Sequence, residues 1–133
     1  MHILLPDGSE KLCLEKHRDQ ISCVAFSPKA DKLASGCANK EIVIWDANAG
    51  TPLVTGLNGF HTARISCLAW SPGGTLASGG VDATVLVWDL DNKAVKHKLV
   101  QAHMGGAIAA ISFLSDTEFV STGGDCCIKK WAI

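Results

Sequence analysis

Three tryptophans, Trp45, Trp88 and Trp131, stand 43 residues apart, and this spacing limits the fold more than any other feature of the 133-residue chain. Each closes one copy of a repeat. The copies run from Asp19 to Asp46, Ala63 to Asp89 and Gly106 to Ala132, and they align almost without gaps. Phe26, Trp70 and Phe113 recur at intervals of 44 and 43, and His17, His61 and His103 at 44 and 42. A period in the low forties is the length of a four-stranded propeller blade.

Within each copy the strand signals have the expected length and are bounded by turn residues. In the second copy they predict strands over Ile65 to Trp70, Thr75 to Ser78 and Thr84 to Trp88. Ser71-Pro72-Gly73-Gly74 reads as the first turn, where proline presets φ and glycine accepts positive φ, and Gly79-Gly80-Val81-Asp82 as the second. A further strand is expected before each copy, over Lys11 to Glu15, Pro52 to Leu57 and Ala94 to Val100. Ile42-Val43-Ile44-Trp45 and Val85-Leu86-Val87-Trp88 are apolar without alternation, the mark of strands covered on both faces. No segment has a helical period.

These residues carry a resemblance. His61, Ser78-Gly79-Gly80-x-Asp82 and Trp88-Asp89 reproduce the pattern of the WD40 repeat family, so an all-β fold of WD40 β-propeller blades is expected, with three repeats of a partial propeller. A buried indole N–H needs an acceptor, a strand serine can supply it, and a histidine can link that serine to an aspartate in the next turn. In the family these four side chains form a structural tetrad. The matching positions are His61, Ser78, Asp82 and Trp88, and His103, Ser121, Asp125 and Trp131. The first copy has His17, Ser35 and Trp45 but Asn39 in place of the aspartate, so its network should be the weakest. The third copy has Ala132 after its tryptophan, and Lys129 and Lys130 where the others have Val or Ile.

The expected organisation is 1–16 as the end of a preceding blade and an outer strand, then repeats over 17–46, 47–89 and 90–133. Closed propellers use four to eight blades, so three would leave open edges and bare faces. The chain is therefore expected to be the C-terminal piece of a longer protein, or to close a ring through self-association or a partner.

A closer likeness lies in the stretch from His61 to Pro72, in Ala102-His103-Met104-Gly105-Gly106, in the closing Cys127 to Ile133 and in Leu14 to Arg18. These resemble the last blades of the actin-interacting protein 1 family. That resemblance implies a cytoplasmic protein of the actin cytoskeleton, with actin and cofilin as partners in filament disassembly. It carries over no contact residue. A generic WD40 scaffold or adaptor in a multiprotein complex is the alternative. Propellers act through loop rims, and Arg18, Asp19, Arg64 and Met104, in the loops entering each copy, are the candidate partner-facing residues.

Composition excludes other classes. Twelve basic and thirteen acidic side chains leave a formal charge of −1, which lacks the excess of Lys and Arg that phosphate neutralisation needs, so no nucleic acid is expected. The longest apolar run, Ala107 to Ile111, is far short of a membrane span of about 20 residues. The six cysteines include no C-x-x-C pair and read as small buried hydrophobes, so neither a metal nor another cofactor is expected. Recurrence of His, Ser and Asp at one period suits architecture rather than a hydrolase, which needs one activated serine. No G-x-S-x-G elbow occurs, so no catalysis is expected.

Overall fold

A computed structural model describes residues 16–133 in full, and 2–4 and 10–13 as backbone strands. Every described element is a strand. They are β1 (His2–Leu4), β2 (Glu10–Cys13), β3 (Ile21–Phe26), β4 (Lys32–Cys37), β5 (Ile42–Asp46), β6 (Pro52–Leu57) and β7 (Ile65–Trp70). β8 (Leu76–Gly80), β9 (Val85–Asp89), β10 (Ala94–Leu99), β11 (Ile108–Phe113), β12 (Glu118–Gly123) and β13 (Ile128–Ala132) follow. The strand expected over Lys11 to Glu15 extends to positions 14 and 15, which lie outside the described residues.

The strands form antiparallel sheets in chain order: the pair β1-β2, the four-stranded β3-β4-β5-β6 and β7-β8-β9-β10, and the three-stranded β11-β12-β13. Each large sheet is one blade, and the blades stack through their first strands: β3 lies against β7, and β7 against β11. Sheet and repeat are offset, since β6 completes the first sheet although it precedes the second copy of the pattern. The described sheets do not close into a ring, and the molecule is a partial propeller.

The middle blade shows why its strands carry no alternation. Leu68, Leu76, Leu86 and Trp88 join a core shared with Ala34, Ile42 and Ile44 of the first blade. Cys67, Ala69, Ala77, Val85 and Val87 join a second core with Ile108, Ile111 and Phe119 of the third. Successive side chains of a strand point to opposite faces, so Val85-Leu86-Val87-Trp88 serves both cores in turn. The outer blades present one face each, leaving Val24 and Phe26 exposed on one side and Ile128 on the other.

Two expectations need correction. Gly79 and Gly80 belong to β8, buried, and the second turn is the three-residue loop Val81-Asp82-Ala83. Its closure is set by Ala83 N–H donating to Gly80 C=O at 3.2 Å and Gly80 N–H to Thr84 C=O at 3.1 Å, with Ala83 at φ 61°. This is a type I turn followed by a left-handed residue, a common hairpin loop. Second, the cysteines are not uniformly buried: Cys37 and Cys67 are, whereas Cys126 and Cys127 are exposed because they fall in and after the last such turn rather than inside a strand.

A periodic feature escapes the sequence. The pairing of the first two strands of each blade shifts register between Ile21 and Cys23, Ile65 and Cys67, and Ile108 and Ala110. Such bulges re-aim a side chain. Here they aim Ser22 at the C=O of Ile65 in the next blade, and Ser66 at the C=O of Ile108 at 2.5 Å. The third copy has Ala109 at this place and lacks the hydroxyl.

Candidate functional site

In the second blade the indole Nε1–H of Trp88 donates to Ser78 Oγ at 2.8 Å, and Ser78 Oγ lies 2.8 Å from His61 Nε2. His61 Nδ1 lies 3.1 Å from Asp82 Oδ2. A consistent proton arrangement has Ser78 donating to Nε2, and Nδ1–H donating to the carboxylate. Asp82 is also held by the backbone N–H of Thr62 at 2.8 Å and of Thr84 at 3.1 Å. The third blade repeats the set: Trp131 Nε1–H to Ser121 Oγ at 2.8 Å, Ser121 Oγ to His103 Nε2 at 2.8 Å, and His103 Nδ1 to Asp125 Oδ1 at 2.6 Å. Lys129, a departure of this copy, reaches Asp125 at 3.4 Å and the C=O of Ala102 at 2.7 Å.

Burial sets the electrostatics. His61 loses solvation, and this outweighs the opposing pull of Asp82, so its pKa lies below the ordinary value. Asp82 is pushed up by burial, but the Thr62 N–H and His61 together outweigh it and hold it below the usual carboxylate range. The hydrogen bond from His103 lowers Asp125 to about 2. Burial pushes the Cys67 thiol up to about 11, which keeps it protonated and unreactive at neutral pH. Ser35, Ser78 and Ser121 are wholly buried and each hydroxyl accepts from a tryptophan, so these serine–histidine pairs lie inside the blades.

The first blade differs. Trp45 Nε1–H donates to Ser35 Oγ at 2.8 Å, and Ser35 Oγ lies 2.5 Å from His17 Nε2. Asn39 is exposed, and the network is not extended through it. Instead the Glu41 carboxylate stands 3.8 Å from His17 Nδ1, with Cys37 beside them. Among the described residues these three form a group whose potential metal-ligand atoms, one from each, lie within 4.8 Å of one another. No adjacent spacing announces them, so sequence reasoning missed them.

The loops entering the blades sit beside the tetrad turns, joined by Val81 N–H to Arg64 C=O at 2.9 Å, Ala38 N–H to Gln20 C=O at 2.8 Å and Gly124 N–H to Ala107 C=O at 3.1 Å. Arg18, Asp19, Arg64 and Met104 are all exposed on this rim. Met104, 72% exposed, borders an open cleft of ≈ 520 Å³ between the second and third blades, with Val81, Asp82 and Gln101. Arg18 borders another, of ≈ 300 Å³, with Lys16, Asn39, Glu41 and Asn58. The structure places the four residues on one end of the blades but does not bring them together into one cluster.

Comparison with known proteins agrees with this geometry. The chain is 37% identical over 126 residues to actin-interacting protein 1-2 of Arabidopsis thaliana, covering 93% of this chain and 20% of that protein. It is 33% identical over 119 residues to actin-interacting protein 1 of Drosophila melanogaster, covering 88% of this chain and 19% of that protein. The chain thus spans about one fifth of the length of these relatives. Among solved structures, the WD40 repeats of RRP9 superpose with a TM-score of 0.80 at 23% identity, over 90% of this chain and 37% of that one, a likeness of fold alone. The model of the WD domain, G-beta repeat, matches residues 8–46, 51–89 and 95–132, and with three blades built on that pattern the chain belongs to the WD40 repeat family.

Proposed function

We infer that the chain is a non-enzymatic protein-interaction module of an actin-binding protein, one that promotes cofilin-dependent disassembly of actin filaments in the cytoplasm. The observation carrying this reading is the likeness, along nearly the whole chain, to proteins named for their interaction with actin in a plant and in animals. Physical features support it. The tetrad side chains are consumed in holding the blades together, and the loop rim exposes the charged Arg18 and Arg64 and the apolar Val81 and Met104. Among the described residues no helix is long and apolar enough to cross a membrane.

Pelleting of actin filaments, with and without cofilin and with and without the protein, tests the proposal. The expected result is a rise in unsedimented actin that requires both cofilin and the protein. Met104→Asp and Arg64→Glu, both on the exposed rim, should weaken it without unfolding the blades. A protein that leaves the pellet unchanged, yet is retained in a complex of other composition, would favour the second reading of a WD40 scaffold or adaptor.

A further inference from the structure

Three departures of the first repeat fall in one place. It has Cys37 where the second and third repeats have Gly80 and Gly123, Asn39 where they have Asp82 and Asp125, and Glu41 where they have Thr84 and Cys127. In the sister repeats the glycine leaves room for the histidine ring: a Cβ on Gly80 would lie 2.7 Å from His61 Nδ1, and one on Gly123 would lie 2.9 Å from His103 Nδ1. In the first repeat a thiol-bearing side chain enters that room. As a result a His17 ring nitrogen, Cys37 Sγ and a Glu41 carboxylate oxygen all lie within 4.8 Å of one another, with His17 Nδ1 3.8 Å from the Glu41 carboxylate.

The histidine is oriented but incomplete. Its Nε2 is fixed at Ser35, which Trp45 fixes in turn, yet its buried Nδ1 has no hydrogen-bond partner among the described residues. The side chain is 2% exposed, and the Glu41 oxygen at 3.8 Å is beyond hydrogen-bond reach. A buried polar atom left without a partner is destabilising, and a ligand to that nitrogen would remove the penalty.

We propose that His17, Cys37 and Glu41 form a binding site for one zinc ion, with water in the fourth position. An imidazole nitrogen, a thiolate and a carboxylate oxygen are all zinc donors. Bond lengths of about 2.0–2.3 Å put adjacent ligand atoms of a tetrahedral site about 3.3–3.8 Å apart, so the three atoms need only a small closure. Binding replaces the Cys37 S–H bond by an S–Zn bond and releases the proton to solvent. The thiolate and carboxylate together neutralise the dication. That balance matters, because Lys16 and Arg18 line the cleft at Glu41 and would repel a centre with excess positive charge. With Nδ1 on the metal, Nε2–H donates to Ser35, so the serine and tryptophan of the old tetrad become the outer support of the ligand.

The metal-stripped, reduced chain titrated with Co²⁺ as a coloured stand-in, then with Zn²⁺, tests this. One equivalent of Co²⁺ should give a thiolate-to-cobalt charge-transfer absorption, and one of Zn²⁺ should abolish it. Cys37→Gly and Glu41→Thr install residues of the sister repeats, and each should weaken Zn²⁺ binding at least about tenfold. Glu41→Gln, which keeps the shape of the side chain, should do the same with an unchanged circular dichroism spectrum. The Cys126→Ser, Cys127→Ser double variant should bind as the parent does. Absence of the absorption, its persistence in Cys37→Gly, or its loss in the double variant would overturn the proposal.

Discussion

A methyl group added to Gly79 would sit 2.5 Å from Ile108 Cγ2 and 2.7 Å from Cys67 Sγ, so the second blade meets the third with no space for a side chain. Gly36 meets Ile65 of the second blade in the same way, at 2.8 Å. Because a branched chain rather than a flexible tip fills the space, Gly79→Ala should force the blades apart and cost about 1–3 kcal/mol. Gly36→Ala should cost less, its contacts being longer. Urea unfolding followed by tryptophan fluorescence checks both, and an unchanged midpoint for Gly79→Ala would refute the close approach.

Trp88 and Trp45 are 2% and 1% exposed, whereas Trp131 is only partly buried. Trp88→Ala removes a large core side chain and leaves Ser78 without its donor, at an expected cost of about 3–5 kcal/mol. Typical domains hold about 5–15 kcal/mol in all, so the blade should unfold near room temperature. Trp131→Ala should cost less. Thermal melts of the two variants make the comparison, and an unchanged melting temperature for Trp88→Ala would remove this residue from the blade interior.

The blades were legible because their period is written in large residues: the tryptophans, the histidines, and the strands between them. What the sequence concealed depends on contacts between copies. Gly79 looks like a turn glycine by its neighbours Gly80 and Asp82, and only the approach of Ile108 shows that it is a strand residue kept small. Ser22 and Ser66 look like ordinary polar strand positions until a bulge turns them toward the next blade. The first blade was the hardest. Asn39 is visible as a missing aspartate, but the meaning of Cys37 and Glu41 appears only when the fold puts both beside the His17 ring.

The tetrads set the acid response. His61 and His17 have pKa values lowered chiefly by burial, so the unfolded chain takes up their protons first as pH falls below about 6.5. Stability is present above that value and declines toward the lower folded values. Asp82 and Asp125 are also lowered, Asp125 to about 2, so each contributes stability above the unfolded carboxylate value of about 3.9 that fades below it. Urea midpoints should therefore fall in two stages, below pH 6.5 and again below pH 4. His61→Gln should remove much of the first stage, and a flat profile from pH 7 to pH 5 would show that the histidines titrate alike folded and unfolded.

Lys40, Ala83 and Cys126 occupy the same turn position in successive blades, with φ of 65°, 61° and 60°. Each is the left-handed residue that closes its loop, its N–H donating to the C=O of Cys37, Gly80 or Gly123 at 3.2 Å. A side chain in this region costs about 1–2 kcal/mol, which glycine avoids, although glycine also makes the unfolded chain harder to order. Lys40 and Cys126 are exposed and lose little packing when trimmed. Lys40→Gly and Cys126→Gly should each raise stability, by up to about 1 kcal/mol, and lying in different blades their effects should add. Lys40→Pro should do the opposite, since its ring fixes φ near −65° and it has no N–H for Cys37. Unfolding midpoints of the two glycine variants and their combination measure this, and a loss of stability on Lys40→Gly would mean that the lysine side chain holds the turn by contacts of its own.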